Sequence, residues 1–368
     1  MQQINPEGVN PSLVFALPQH QQNMASALDP HVCSAGTPLH NAALTGTAQK
    51  LRVGFPMEKK AGASPVSSSA ACKACPSVVV SVDQLNAFDL LVWLRTGERA
   101  ADRLRCSQPT VSRSAKQVAS VFGLDLRRVG GEWSFSGDSD LLNRLREVHQ
   151  QSRWLRHQPL RLEAQYCNGP LLLDPCPEGW ICGGFDFLEI HTPLALLREG
   201  VIDAWLGVYP DVPQDDPEFA VIHLSRQPTR LTLPEGHPLL QRGGEITLED
   251  LRAFPSLALP DGAFPRMEAY LRAQGLWTGV SRAPRYQLAK WEGLAIEQLM
   301  VGYATAYTLK LFPLPCVVVP VDVGLMVGDS LVVRKIYQDH PRVASLVALL
   351  RQRALALADE MPDLVVLP

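Results

Sequence analysis

Residues 107–117, Ser-Gln-Pro-Thr-Val-Ser-Arg-Ser-Ala-Lys-Gln, put hydrogen-bonding side chains on one side of a short segment that is apolar on the other. Val111, Ala115, Val118 and Phe122 stand at offsets of 0, 4, 7 and 11, which is one face of a helix. At about 100° per residue, Arg113 falls roughly 200° from Val111. Pro109, Lys116 and Gln117 also point broadly outward, and Thr110 and Ser112 flank the apolar face. Ser107 stands where a helix is capped, with Pro109 in the first turn. A helix that offers Gln108, Arg113, Lys116, Gln117 and small hydroxyls suits the hydrogen-bonding edges of a DNA major groove. The same pattern also occurs on soluble proteins with no nucleic-acid partner, so the periodicity alone leaves both readings open.

The elements around this segment narrow the choice. Residues 98–123 read as two short helices joined by a tight polar turn, and Leu85, Phe88, Leu91 and Val92 form the core face of an earlier helix that Thr96-Gly97 ends. Gly123 is a plausible helix end. The string Leu104-Arg105-Cys106-Ser107-Gln108-Pro109-Thr110-Val111-Ser112-Arg113 resembles the helix-turn-helix of LysR-type transcriptional regulators, whose recognition helix opens with Ser-Gln-Pro-Ala/Thr-Val-Ser. Asp83 to Phe88 resembles that family's first helix, and Ala100 to Leu104 its second. Arg127 to Phe135 reads as a hairpin turning at Gly130-Gly131. The resemblance makes it a wing lying near the minor groove and phosphates, with Arg127 and Arg128 as backbone contacts. The family's usual Leu-Thr-x-x-Gly after the wing appears only as Phe135-Ser136-Gly137-Asp138.

Bulk properties set the outer bounds. The 368 residues suggest two or three domains, and 46% hydrophobic residues suffice for large cores. The net charge is −3, yet from Asp83 to Arg128 eight Lys/Arg stand against five Asp/Glu. A locally basic module in a mildly acidic chain fits phosphate contacts confined to one domain. No run of 18 apolar residues predicts a membrane span, and the start lacks the pattern of a secretory signal, so a cytoplasmic protein is expected. Reduced thiols are therefore expected of the eight cysteines rather than a disulfide framework. Cys72-Lys-Ala-Cys75 has zinc or redox spacing but no second Cys/His pair nearby, and Cys167, Cys176 and Cys182 could serve as thiol sensors near a ligand pocket. No metal and no cofactor is expected.

Residues 1–77 show no sustained period and are dominated by Pro, Ser, Ala, Gln, Asn and Gly, which predicts a disordered extension. Residues 78–138 are assigned to the winged helix-turn-helix. Over 139–158 a helix is expected, with Leu141, Leu145, Val148, Ser152 and Leu155 stepping by 4, 3, 4 and 3 along a coiled-coil seam. A surface helix packed on its own domain would show a similar stripe; the resemblance implies a long linker helix that dimerises. Residues 159–360 alternate strands with helices and form the expected effector-binding domain. Val-Ile-Asp-Ala-Trp-Leu-Gly-Val at 201–208 and the Thr229–Leu239 segment ending in Gly-His-Pro-Leu resemble family segments. The resemblance implies a fold class of α plus α/β, with two α/β lobes like those of periplasmic solute-binding proteins. Lobe I spans about 159–212 and 328–360, and lobe II about 213–327. The chain is expected to cross near Tyr209–Pro217 and to return near Gly324–Leu331.

Ligands of open α/β lobes bind beyond the carboxyl ends of strands, where helix N-termini leave N–H groups free. That points to Cys167, Asn168 and Gly169 after the first strand, His191 and Thr192 before a helix, and Asp261, Gly262, Ala263 and Thr305 in the other lobe. A carboxylate inducer would find charge partners in Arg226, Arg230 or Arg266. The stretch Asp174-Pro-Cys-Pro-Glu-Gly179 interrupts the helix that normally follows the first strand, so an altered pocket is also expected. Phosphate-binding, dinucleotide, zinc-protease and serine-hydrolase motifs are absent from the sequence, so no enzyme is expected. The resulting expectation is a transcription regulator that binds double-stranded DNA at two half-sites as a homodimer or homotetramer and answers to an unidentified small molecule. The alternative is a small-molecule-binding module with vestigial DNA binding.

Overall fold

The computed structural model describes residues 79–129, 132–279, 293 and 295–368. The 1–77 extension, Cys72, Cys75 and the Gly130-Gly131 turn lie outside them. The first described element, α1 (Val82–Leu94), opens with a capping box: Ser81 accepts from the Gln84 N–H, and the Gln84 side chain returns to the Ser81 N–H. Thr96 caps α2 (Gly97–Leu104), and α3 (Gln108–Val121) follows a left-handed Arg105. Leu85, Phe88 and Leu91 of α1 pack with Ala100 and Ala101 of α2 and with Val111, Ala115 and Val118 of α3, all buried. Phe122 is half-buried at the end of the same stripe. Ser107 holds the capping position of α3, but its hydroxyl pairs with the Thr110 hydroxyl at 2.9 Å and reaches no backbone N–H. That differs from the side-chain cap expected of it.

Next comes an antiparallel hairpin, β1 (Asp125–Val129) and β2 (Glu132–Ser136), in register Arg128 to Trp133. The Phe135 ring lies 5.4 Å from Phe88, and the Trp133 N–H donates to the Arg95 carbonyl, which ties the hairpin to α1. Then α4 (Asp140–Leu155) turns Leu142, Arg146, His149, Gln150, Arg153 and Trp154 inward. Of the expected seam, Leu141, Val148 and Leu155 are exposed while Leu145 and Ser152 are half-buried.

The remainder is built on two groups of strands that share one long strand. In the first, β3 (Leu160–Ala164) lies between β4 (Trp180–Cys182) and β5 (Ala204–Tyr209), all parallel. Short helices α5 (Gly169–Leu172) and α6 (His191–Arg198) connect them. Antiparallel β6 (Phe219–His223) and the end of a 19-residue strand complete this group. The second contains β7 (Ser225–Pro234), helices α7 (Pro238–Gln241), α8 (Leu248–Arg252) and α9 (Pro265–Ala273), β8 (Gly302–Ala304) and α10 (Ala306–Leu311). The long strand β9 (Cys316–Arg334) pairs with β7 along its first part and with β5 and β6 along its last. The chain closes with α11 (Pro341–Ala358) and β10 (Val365–Val366), which pairs with the start of β7.

Because β6 joins the first group, on the far side of β9 from β5, the outward passage lies at Leu224–Pro228 and not at Tyr209–Pro217. At that passage the backbones of β7 and β9 nearly touch. A Cβ on Gly328 would meet the Ser225 carbonyl oxygen at 2.0 Å, so only glycine lets the two strands pass. The turn after α5 also brings Cys176 and Cys182 to a Cα separation of 6.0 Å, and they form a disulfide where reduced thiols were expected.

Candidate functional site

Two places on this fold gather the sequence-derived residues. The first is the outer face of α3. Burying Val111, Ala115 and Val118 turns Gln108, Pro109, Thr110, Arg113, Lys116 and Gln117 to solvent with Ser107, and leaves Ser112 half-buried at the edge. Neighbours already orient several of them. Gln108 lies against the start of α2, where a Cβ on Gly97 would come within 2.8 Å of its Cγ. Gln117 accepts from the Gln84 amide at 2.8 Å. Arg127 is exposed on β1 and paired with Asp125, whose hydrogen bond and charge raise the Arg127 pKa. Arg128 is exposed beside it. The array therefore projects amide, hydroxyl and guanidinium groups from one rigid helix, with further cations on the hairpin.

The second place is a cavity of about 90 Å³ between the two groups of strands. Asn168 and Thr305 line it, as does Cys167. Thr305 also caps α10, exchanging hydrogen bonds with Thr308. His191 and Gly262 meet at 3.0 Å, imidazole Nε2 to carbonyl oxygen, and do not line the cavity. The Thr192 N–H is taken by both Glu189 carboxylate oxygens at 3.1 and 2.9 Å, so that helix start offers it to no ligand. Asp261 pairs with Arg272, and Arg230 with Asp363.

The charge partners expected for a carboxylate inducer are engaged elsewhere. The Arg226 guanidinium lies 3.7 Å above the Tyr209 ring and donates to the Ser225 carbonyl. Arg266 donates to the Pro210 carbonyl. None of Arg226, Arg230 and Arg266 lines the cavity. Cys167, half-buried at the cavity, has its thiol pushed up to about 12 by desolvation, which keeps it protonated at neutral pH.

What lines the cavity instead is a set of buried polar groups. Asp329, 2% exposed, accepts from the Ser225 hydroxyl and from the Asn168 amide at 3.0 Å. Burial raises its pKa even against those donors. Four buried atoms in the lining have no hydrogen-bond partner, Asn168 Oδ1, Gln227 Oε1, Thr229 Oγ1 and Trp277 Nε1, while the Tyr307 hydroxyl bonds with Asp329. Leaving such a group unmet costs about 1–3 kcal/mol, and a fold tolerates several together where something else fills the space. Of these four residues only Asn168 was among those expected from the sequence. One signal was present: Ser225, Gln227 and Thr229 alternate inward along β7, a polar stripe on the buried side of a strand. Asp329 likewise stands as a lone charge within the apolar run ending β9.

A third cluster joins α1 and α4 to the α/β body. Arg146 donates to Asp89 at 2.8 Å and to Glu199 at 2.7 Å. Arg161 on β3 donates to the Val201 carbonyl and the Asn86 amide oxygen, each at 2.6 Å, and faces Asp89 at 3.5 Å. Arg153 and Asp203 share two bonds of 2.9 Å. Among the described residues no group of three His, Cys, Asp or Glu is placed to hold a metal, and no helix is long and apolar enough to cross a membrane.

Residues 186–355 match the family model described as the LysR substrate binding domain. No curated protein matches the chain. Among solved structures, a full-length OxyR variant from Pseudomonas aeruginosa is 19% identical, with 74% of this chain and 95% of that one covered and a TM-score of 0.48. Full-length CbnR complexed with its target DNA is 17% identical, covering 74% and 99%, with a TM-score of 0.46. A probable transcriptional regulator from Pseudomonas aeruginosa is 17% identical, covering 74% and 96%, with a TM-score of 0.49.

Proposed function

We propose that this chain is a LysR-type regulator, since its residues 186–355 match that family's substrate binding domain, and that it acts as a sequence-specific DNA-binding transcription regulator. Helices α1–α3 with the β1–β2 hairpin act as a winged helix-turn-helix, and the cavity between the strand groups receives a small-molecule effector. The observation that carries the reading is the solvent-facing side of α3, kept outward because Val111, Ala115 and Val118 are fixed in the core. In this reading α3 enters the major groove, where Gln108 and Arg113 contact bases. Thr110, Ser112, Lys116, Arg127 and Arg128 meet mainly phosphate, which fixes register without reading sequence. Ser107 and Gln117 border the same surface, and Pro109 sets the first turn.

The exposed apolar positions Leu141, Val148 and Leu155 on α4 support pairing of two chains, and paired recognition helices fit an operator with two half-sites. A homodimer or a homotetramer built from such pairs acts on cytoplasmic DNA. The effector changes the spacing or angle of the half-sites by favouring one arrangement of the lobes. A footprint of the full-length protein on the DNA upstream of its own gene tests this reading. The expected pattern is two protected segments one helical turn or a multiple apart, with binding that weakens steeply as salt rises. Diffuse, sequence-independent protection would instead favour a small-molecule-binding module whose DNA contacts are vestigial.

A further inference from the structure

We propose that the cavity between the strand groups selects an uncharged, compact ligand carrying both hydrogen-bond donors and acceptors, such as a primary amide or a vicinal diol, and rejects carboxylates and phosphates. This deepens the effector-site reading and rests on it. Asn168 uses its amide nitrogen on Asp329, which fixes the flip of that side chain and leaves Oδ1 as an acceptor without a donor. Gln227 Oε1 is a second acceptor in the same state. Trp277 Nε1 can only donate, while the hydroxyl of Thr229 can do either. All four side chains are more than nine-tenths buried.

A carboxylate brings no donor, so it would leave the oxygens of Asn168 and Gln227 unmet. It would also lie near the buried Asp329 carboxyl with no Lys, Arg or His in the lining to balance it. An ammonium group brings only donors and leaves the indole N–H of Trp277 unmet. A group that is both donor and acceptor satisfies both sets, and the apolar lining residues Leu259, Phe264 and Met267 take its apolar remainder.

The test uses purified full-length protein and matched fragments on one skeleton: benzamide, benzyl alcohol, benzylamine and benzoate, with butanamide, 1,2-butanediol, butylamine and butyrate as a smaller series. Thermal unfolding is read for each, in wild type, in Thr229→Val, which keeps shape while removing the hydroxyl, and in Trp277→Phe, which removes the indole N–H together with part of the ring system. The expected result is a Tm rise of about 2 °C or more for an amide or alcohol at about ten times its Kd, no rise for the matched carboxylate, and loss of the rise in either variant. Carboxylates that raise Tm in wild type but not in the variants would overturn the proposed selectivity while leaving an effector site in place. No rise from any fragment, or rises that both variants retain, would overturn the selectivity together with the site. The footprint on upstream DNA is scored separately, so DNA binding stands or falls by its own result.

Discussion

The indole Nε1 of Trp93, near the end of α1, donates to Oε2 of Glu163 on β3 at 2.6 Å, across 70 positions of sequence. Both residues are buried, and the same carboxylate also accepts from the N–H groups of Ala164 and Phe185. This bond, with Asp89 and Arg161 beside it, fastens the helical unit to the α/β body in one chain. A shift in the body near β3 therefore has a direct mechanical route to α1 and, through their shared core, to α3.

Burial pushes the Glu163 carboxyl up to about 7, despite its donors, so the folded protein keeps a proton that an unfolded chain with a value of 4.5 has lost. The stabilising contribution is full below about 4.5 and is lost as pH rises toward 7. His149 slopes the other way. Burial and the neighbouring Arg153 hold its imidazole down at about 4 against 6.5, so stability falls as pH drops through that interval. Glu163→Gln should therefore gain on wild type by about 3 kcal/mol between pH 4.5 and 7, whatever constant offset the lost hydrogen bond adds. Urea unfolding across that range checks it. Parallel curves for the two proteins would contradict the assignment.

Asp89 should be among the least replaceable residues of the joint. Burial alone would raise its pKa, but the guanidinium groups of Arg146 and Arg161 hold it below the ordinary carboxylate value. Asp89→Asn keeps the volume and removes the carboxylate that the buried Arg146 and Arg161 share. The expected cost is about 3–5 kcal/mol in denaturant unfolding. A loss under about 1 kcal/mol would mean that water reaches this network.

The exposed stripe of α4 makes a separable prediction about assembly. Leu141→Glu combined with Val148→Glu should at least halve the mass measured by light scattering. Unfolding of the isolated chain should change by only about 0.5 kcal/mol per site, since both side chains face solvent in the single chain. An unchanged mass would place the interface elsewhere.

What could be read from the sequence follows from the range of each signal. The inward stripe of α3 was legible because four apolar residues within twelve positions repeat at one period, and the exposed face follows from it. Leu141, Val148 and Leu155 were legible for the same reason. The Asp89, Arg146 and Arg161 cluster was not, because its members lie 57 and 72 positions apart and each reads alone as an ordinary surface charge. The pocket was legible only at strand ends. Asn168 and Thr305 follow from the rule that ligands sit beyond strand termini, whereas Gln227 and Thr229 lie inside a strand whose buried side the pairing with β9 decides. The outward passage was misplaced because nothing local tells a five-residue strand that its partner is the far end of β9.

Whether α3 reads DNA sequence is decided by one titration. Binding of wild type, Arg113→Ala and Lys116→Ala to the footprinted site and to random duplex should be measured over a salt series. Arg113→Ala should lose about 1–3 kcal/mol on the specific site and little on random DNA, while Lys116→Ala should weaken both alike and lower the salt slope by about 1. Equal losses for both variants on both duplexes, or no preference of wild type for any site at modest salt, would contradict sequence reading by α3.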